Sequence, residues 1–438
     1  MSTLNVDKVD PSTGTALELG TSGDTITVPT GAGLTVTDEV KTNKISPATG
    51  TAFTLGDSGD TFTVPSGATI VNSGTATGFG ITQTSFLPTA NPIIVNGDMA
   101  LSQRSTSVST ASPGYHCLDR WRHTISGAGT WTITQESLSS TDPPVINGGF
   151  RNALKMDCTT ADASIGSGDS LYIAQRFEGQ DIQLFRKGSS GALSYTVSFW
   201  VKATKTGTNI VELYDNDNSR QCCVAYTVSS TNTWEHKVVN LPADTSGTLD
   251  NNNAYSMAVN FWMAAGSSFT SGTLSTTWAS STDANKAVGQ VNNADSTSNN
   301  FHITGVQLEV GEYTSSDLPP FRHESYGDNL LRCQRYFQLQ DALNGARSTS
   351  TSVAFIYQYT VEMRAIPSGA VTAALQVSNN VDADYEQTTA GVTMYSGRVS
   401  TRGALSQGFN FPTLAEAVGR MYNTHPVVSG SIALNAEL

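Results

Sequence analysis

Charged side chains are scarce in this chain, since Asp, Glu, Lys and Arg make up only 14% of its 438 residues, and acidic groups outnumber basic ones. The net charge of −13 argues against nucleic acid as a partner and against electrostatic attachment to an acidic membrane. The polar surface must instead be built from Ser, Thr, Asn, Gln and Gly. That composition is typical of all-β assemblies and predicts few helices.

Long apolar segments are missing as well, because no run of about 20 apolar residues occurs that could cross a membrane as a helix. The first residues, Met-Ser-Thr-Leu-Asn-Val-Asp, contain no basic region followed by an apolar one, so we expect no signal peptide. We therefore predict a protein that is made and assembled in the cytoplasm.

Cysteine is rare, and the five cysteines form an odd, dispersed set without C-x-x-C or Cys/His ligand spacing. Neither a disulfide framework nor a zinc site is indicated. We predict that all five are buried as small apolar side chains.

Catalytic motifs are absent too: the sequence contains no H-E-x-x-H, no G-x-S-x-G and no phosphate-binding loop. The six histidines lack ligand spacing, and most acidic residues lie in predicted turns. We predict a protein that is not an enzyme and that holds no cofactor and no metal. A pair of carboxylates about 5 to 10 Å apart, as glycan cleavage needs, is not visible from sequence and stays an alternative.

One segment begins like a calcium loop. Asp215-Asn-Asp-Asn-Ser219 has the D-x-D-x-S start, but Arg220 stands where such a loop needs Gly and Tyr226 where it needs Glu. A polar hairpin turn is the simpler prediction.

The N-terminal segment is a tandem repeat. Residues 8–32 and 44–68 are offset by 36 positions and are identical at 17 of 25. Each copy alternates like a short strand between Gly and Pro turns and has too few apolar residues to bury a core alone. We predict that residues 1–86 form the shaft of a homotrimeric fibre, with a flexible linker as the alternative.

Residues 87–323 are predicted to form a β-sandwich, because short aromatic and β-branched runs recur between polar turns without intervening helices. Nine strands are expected, at 131–134, 154–157, 172–177, 195–201, 210–214, 224–228, 234–241, 257–263 and 301–310. In the last of these the apolar phase shifts at Gly305, which predicts a β-bulge.

Two strands place a tryptophan opposite their apolar face. In Tyr195-Thr-Val-Ser-Phe-Trp-Val201 the out-of-phase residue is Trp200, and in 257–263 it is Trp262. Sugars stack on aromatic rings while amides and charged groups hold their edges, so Trp200, Trp262, Asn260 and Lys202 are the candidate carbohydrate-binding residues. If the two strands are adjacent, both indoles share one outer face. Packing of these rings under a loop or between subunits, and a rival site at Trp278 in a loop, stay open.

The remaining chain is predicted to be a helical connector, 324–345, followed by a small β-domain, 346–438. Ser325 caps a helix expected to run to about Leu339. Strands are expected at 353–364, 371–377, 392–395, 398–401 and 429–435, and a helix is slightly favoured over a strand at 413–422.

Several motifs carry a resemblance to a known family. They are Asn96-Gly-Asp-Met-Ala-Leu-Ser-Gln-Arg104, Gly114-Tyr-His-Cys-Leu-Asp-Arg-Trp121, Tyr195-Thr-Val-Ser-Phe-Trp-Val-Lys-Ala203 and Val306-Gln-Leu-Glu-Val-Gly311. Their order and spacing resemble the carbohydrate-binding jelly-roll module in tail-fibre proteins of tailed bacteriophages. Related modules often hold a structural calcium through an acidic residue on the last strand, but Ile303-Thr-Gly-Val306 lacks that carboxylate.

The resemblance implies a structural virion protein that mediates adsorption of a phage to host cell-surface glycan. Its expected partners are two sister chains, a tail, adaptor or nozzle protein at the N-terminus, and host polysaccharide or lipopolysaccharide. The expected location is the phage tail. A head or neck fibre and a polysaccharide-degrading tail spike are the alternatives.

Overall fold

A computed structural model describes residues 92–341, 343–349, 351–372, 375–378, 387–389, 391–409, 421–424 and 431–438. The predicted trimeric shaft, residues 1–86, lies outside the described residues. So does most of the segment 413–422, for which a helix was favoured.

The first part of the described chain is built from thirteen strands: β1 (Ser107–Val108), β2 (Gly114–Tyr115), β3 (Arg122–Ser126), β4 (Thr130–Ser137), β5 (Asn152–Thr160), β6 (Ser170–Glu178), β7 (Tyr195–Ala203), β8 (Gly207–Asp215), β9 (Arg220–Val228), β10 (Glu235–Leu241), β11 (Tyr255–Ala265), β12 (Ala279–Ser280) and β13 (Asn300–Val310). Two short helices, α1 (Pro143–Gly148) and α2 (Ser267–Thr270), and three 3-10 turns, Gly179–Asp181, Gln183–Phe185 and Asp283–Asn285, lie between them. All nine predicted strands are present.

These strands form two antiparallel sheets. Sheet I has the order β1-β4-β5-β13-β7-β10, and sheet II has the order β12-β9-β8-β11-β6-β3-β2. The sheets pack as a jelly-roll β-sandwich, which confirms the predicted mostly-β fold class for the part of the chain that the structure describes.

The core lies between the inner faces of sheets I and II. Val197, Phe199 and Val201 of β7 are completely buried there, as their alternation predicts. Phe199 meets Phe261 of β11 edge to face, with ring centroids 5.0 Å apart. Alternate residues of the same strands therefore face outward, and these outer faces are where a site can form.

The predicted bulge lies in β13. Its pairing with β7 changes register between Thr304 and Gln307, and Gly305 has a φ of +60°. A Cβ on Gly305 would come within 2.6 Å of the Phe150 ring. Glycine is needed here both for its backbone conformation and for the close approach of this ring.

Helix α3 (Tyr326–Gln334) follows the sandwich and is capped by Ser325, whose Oγ accepts a hydrogen bond from the amide of Asp328 at 3.1 Å. The cap is as predicted, but the helix ends before Leu339. Residues 337–340 pair with a strand near the C-terminus, and Phe337 and Gln338 are buried by this pairing. Burial in the sheet therefore decides the structure here against the local helical pattern. The predicted connector 324–345 is therefore helical only in its first half.

The later strands are β14 (Phe337–Gln340), β15 (Asn344–Thr349), β16 (Ser352–Gln358), β17 (Ser368–Val371), β18 (Leu375–Ser378), β19 (Gln387–Thr389), β20 (Gly391–Val399), β21 (Gly403–Phe409), β22 (Met421–Thr424) and β23 (Ile432–Asn435). They form sheet III, β14-β23-β17, and sheet IV, β19-β18-β22-β15-β16-β21-β20. The strand predicted at 353–364 ends earlier, the one at 371–377 is split in two, and those at 392–395 and 398–401 merge into β20.

Ion pairs join the C-terminal part to the sandwich. Glu178 of β6 has a completely buried carboxylate that accepts two hydrogen bonds from the Arg335 guanidinium, at 2.8 and 2.7 Å. Arg120 and Arg104 both pair with Glu437. Because Glu178, Arg120 and Glu437 are buried at these contacts, their ion pairs hold the C-terminal part against the sandwich.

Candidate functional site

The four predicted site residues lie on two different sheets. Trp200 and Lys202 lie on β7 in sheet I, whereas Asn260 and Trp262 lie on β11 in sheet II. Both pairs face away from the core, so the two indoles are on opposite sides of the sandwich. A shared face was expected only if the two strands were adjacent, and they are not, because strand alternation fixes the side of a strand but not the sheet to which the strand belongs.

Asn260 and Trp262 are brought together around Glu212 of β8. The Asn260 amide donates to Glu212 Oε2 at 3.0 Å, and the Trp262 indole N–H donates to the same oxygen at 2.9 Å. Trp262 is only 2% exposed, because its ring packs against Tyr172 and Phe269 with centroids 4.8 and 5.5 Å away. Trp262 is thus a buried support of the site, as the alternative of packing under a loop anticipated.

The strand register of sheet II explains why these side chains meet. Asn260 lies opposite Glu212 on one side and Ala174 on the other, and Trp262 lies opposite Tyr172. Ala174 in turn lies opposite Arg122 of β3. Glu212, Asn260, Ala174 and Arg122 therefore lie side by side across four neighbouring strands, on the outer face of sheet II. Ala174 is the smallest side chain of this row.

These residues enclose a cavity of about 270 Å³ on the outer face of sheet II, which we call the cleft. Its lining residues are Arg122, Ser170, Tyr172, Ala174, Arg176, Glu212, Tyr214, Asn216, Tyr255, Asn260, Trp262, Phe269 and Lys286. Three half-buried tyrosines and Phe269 supply aromatic surface, while amide, hydroxyl and charged groups supply hydrogen bonds. Aromatic platforms with a few convergent polar groups are what recognition of a sugar needs.

Glu212 is the one carboxylate among the described residues that line the cleft. Its Oε2 accepts the two hydrogen bonds above, whereas Oε1 is buried and has no hydrogen-bond partner within the described part of the chain. Burial raises the pKa of this carboxyl above its ordinary value. A buried acceptor without a partner costs free energy, so a ligand hydroxyl that donates to Oε1 would be bound favourably.

Trp200 belongs to a different cavity, of about 440 Å³, on the outer face of sheet I; we call it the groove. Its lining residues are Asn147, Gly148, Phe150, Ser198, Trp200, His236, Gly305, Gln307, Ser315, Leu318, Pro319, Pro320, Phe321 and His323. Trp200 stacks on His236, with centroids 5.0 Å apart and planes inclined by 35°. Lys202 is not part of this groove, since its ammonium lies 5.0 Å from the centroid of the Trp234 ring.

The other expectations about site chemistry can be located as well. Asp215 to Arg220 form the predicted polar hairpin turn between β8 and β9, where Asp215 Oδ1 accepts from the Asn218 amide at 3.0 Å and its carboxylate pairs with the buried Lys187. Within the described ranges, no group of three or more His, Cys, Asp or Glu residues is placed to hold a metal ion. Over those same ranges, no helix has the length and apolar character needed to span a membrane.

Sequence reasoning missed Tyr172, Arg176 and Glu212. A usable signal was present in β6, where Leu171, Ile173 and Phe177 are buried in the core, so Tyr172 and Arg176 must face outward. Pairing β6 with β11 then required a register that the sequence alone does not give.

No protein-family model matches the sequence, and no curated protein matches it. Among solved structures, the enzymatically active domain of tailspike protein 4 from bacteriophage CBA120 aligns over 50% of this chain and 21% of its own length, at 13% identity and a TM-score of 0.25. TmCBM61, solved in complex with β-1,4-galactotriose, aligns over 50% of this chain and 99% of its own, at 10% identity and a TM-score of 0.26. The family 11 carbohydrate-binding module from Clostridium thermocellum aligns over 47% and 95%, at 10% identity and a TM-score of 0.23.

The chain thus spans only about a fifth of the tailspike domain but nearly the whole of each binding module. Similarities with TM-scores this low carry no argument about function.

Proposed function

We propose that this protein binds glycan in the cleft of sheet II and that it acts as a tail fibre, adsorbing a tailed phage to its host. The observation that carries glycan binding is the combination in one cavity of half-buried tyrosine rings with a buried Glu212 oxygen that lacks a partner. The fibre role rests on the sequence motifs and on the N-terminal repeat.

We propose binding without cleavage, and the composition of the cleft supports this. Hydrolysis of a glycosidic bond by the common route needs two carboxyl groups, and the described lining residues offer Glu212 alone. Its two donors, Asn260 and Trp262, hold it in place as a hydrogen-bonding group.

A trimer would strengthen the weak binding expected of a single sugar site. Linked modules that engage one polymer raise the effective concentration of the free sites, so overall affinity can exceed that of one cleft by orders of magnitude. Light scattering of the full chain is expected to give the mass of three chains. A stable monomer would contradict the fibre proposal without affecting the cleft.

The test of glycan binding compares the cleft with the groove. Full-length protein, Tyr172→Ala, Tyr214→Ala and Trp200→Ala are applied to an array of bacterial polysaccharides and lipopolysaccharides. Loss of one aromatic platform in the cleft is expected to weaken binding at least tenfold, whereas Trp200→Ala on the opposite face is expected to bind like the parent. Circular dichroism and unfolding curves of each variant separate lost binding from lost folding.

Two outcomes would overturn the proposal. If Trp200→Ala abolishes binding and the tyrosine variants do not, the site is the groove. If incubation with a bound polysaccharide releases new reducing ends, the protein is a polysaccharide-degrading spike. Immunogold labelling of virions distinguishes a tail fibre from a head or neck fibre.

A further inference from the structure

Three cationic side chains line the cleft, although the whole chain is acidic. Arg122, Arg176 and Lys286 face one carboxyl group, that of Glu212, in a protein with a net charge of −13. Salt screens charges that are more than about 8 Å away at physiological ionic strength, so a ligand in the cleft responds mainly to these local groups. The cleft is therefore locally positive.

Arg122 has no acidic side chain as a partner in the part of the chain that the structure describes. Its Nη1 donates to the hydroxyl of Thr124 at 2.6 Å, and within the described ranges no Asp or Glu oxygen lies within 4.0 Å of its guanidinium. By contrast, Arg220 and Arg335 are each held by two hydrogen bonds to a carboxylate. Most of the Arg122 N–H groups thus remain for a ligand.

Arg176 is already engaged by other groups of the chain. Its guanidinium lies over the Tyr255 ring, with Cζ 4.5 Å from the centroid, and Nη1 donates to the oxygen of Leu438 at 2.6 Å. Lys286 is engaged as well, because its ammonium pairs with a carboxylate oxygen of Asp283 at 2.7 Å, which offsets its charge. Arg122 is therefore the principal group of the cleft that is left to bind an anion.

The register places Arg122 beside a small side chain. Arg122 lies directly opposite Ala174 of β6, whose methyl group fills little of the space next to it. A planar carboxylate can accept two parallel hydrogen bonds from one guanidinium group.

Glu212 is the one carboxyl group among the described residues that line the cleft, and it is buried. Its side chain is 1% exposed, and its Oε2 accepts hydrogen bonds from Asn260 and Trp262. Desolvation raises its pKa, which is a shift toward the neutral form.

Building on the proposed glycan site, we infer that its ligand is an acidic polysaccharide, whose carboxylate-bearing sugar is bound by Arg122 while Tyr172 and Tyr214 contact the ring. A neutral glycan would leave the half-buried Arg122 guanidinium without an anion. A sulfated glycan shares the charge but lacks the planar, two-oxygen shape that matches an arginine fork.

The experiment uses the full chain and matched pairs of polymers. Polygalacturonate, alginate and hyaluronan are compared with their carboxyl-reduced forms, with neutral β-1,4-galactan and with dextran sulfate, by microarray and calorimetry. Each acidic capsular polysaccharide that binds is retested after carboxyl reduction. The variants are Arg122→Gln, Arg122→Lys, Tyr172→Ala and, as a matched control, Arg151→Gln, since Arg151 is exposed and lines neither the cleft nor the groove.

Carboxyl reduction of a bound polymer and Arg122→Gln are each expected to weaken binding by roughly ten- to hundredfold, the effect of losing one hydrogen-bonded charge. Arg122→Lys should lose less, Arg151→Gln should bind like the parent, and affinity should fall as salt is raised.

The proposal of an acidic ligand is overturned if binding survives carboxyl reduction or if only neutral polymers bind. If Tyr172→Ala abolishes that binding, the proposal of a glycan site in the cleft still stands. The acidic ligand is also overturned if dextran sulfate binds as tightly as the carboxylated polymers and Tyr172→Ala does not weaken that binding. This result would mean that the cleft only attracts negative charge. Failure of every polysaccharide to bind removes both the acidic ligand and the glycan site.

Discussion

Glu212 offers the sharpest test of how the cleft is held together. Replacement by Leu removes the oxygen that accepts from the Asn260 amide and the Trp262 indole, at 3.0 and 2.9 Å. Each buried donor left without a partner costs about 1 to 3 kcal/mol. Release of the buried carboxyl from its desolvation offsets part of this cost, so we expect Glu212→Leu to lower the free energy of unfolding by about 3 kcal/mol.

Glu212→Gln keeps an acceptor for both donors and removes the ionisable group, so its behaviour with pH isolates the charge. In the folded wild type, burial raises the pKa of Glu212 above its ordinary value of 4.5, whereas the unfolded chain ionises near that value. As pH rises through this interval the unfolded state loses its proton first, and the wild type loses stability relative to the Gln variant. The advantage of Gln should be absent below about pH 4, grow above pH 4.5 and level off above the folded pKa.

Urea unfolding followed by tryptophan fluorescence, repeated from pH 4 to pH 8, measures both variants against the wild type. A Leu variant as stable as the wild type would show that the two hydrogen bonds contribute nothing. A constant difference between the Gln variant and the wild type over the whole range would refute the raised pKa of Glu212.

Three further predictions use the same unfolding assay or a simple chemical probe. Arg335→Ala removes the ion-pair partner of the buried Glu178 carboxylate, which keeps a hydrogen bond from the Gln180 amide at 2.7 Å, and should cost about 3 kcal/mol of unfolding free energy; an unchanged urea midpoint would contradict this. Gly305→Ala should cost at least about 1 kcal/mol, because its φ of +60° disfavours other residues and a Cβ would collide with the Phe150 ring; equal stability would disprove the need for glycine. The five buried cysteines should react with Ellman's reagent at pH 8 at least about tenfold more slowly in the native protein than in urea, since burial raises their thiol pKa values; equal rates would show that the thiols are accessible.

The strands themselves were largely predictable, because apolar and polar residues alternate along a strand that has one buried face and one exposed face. Val197, Phe199 and Val201 on one face, with Trp200 on the other, is such a pattern, and the phase shift at Gly305 marked the bulge. The burial of all five cysteines also followed from their spacing and apolar character.

Local patterns failed where a distant segment supplied the deciding contact. The helix predicted to reach Leu339 ends at Gln334, because Phe337 and its neighbours pair with β23 almost a hundred residues later in the chain. The capping residue Ser325 was predictable since its partner is only three residues away.

The sequence by itself determined the composition of this protein, the alternation of its strands, the turns between them and the outward direction of Trp200, Trp262 and Asn260, because these depend on side chains a few positions apart. Only the tertiary structure decided which strands became neighbours. That choice placed Trp200 on the face opposite Trp262 and gathered Glu212, Tyr172 and Arg122 around Asn260, because strand order and register are fixed by packing between segments far apart in the chain.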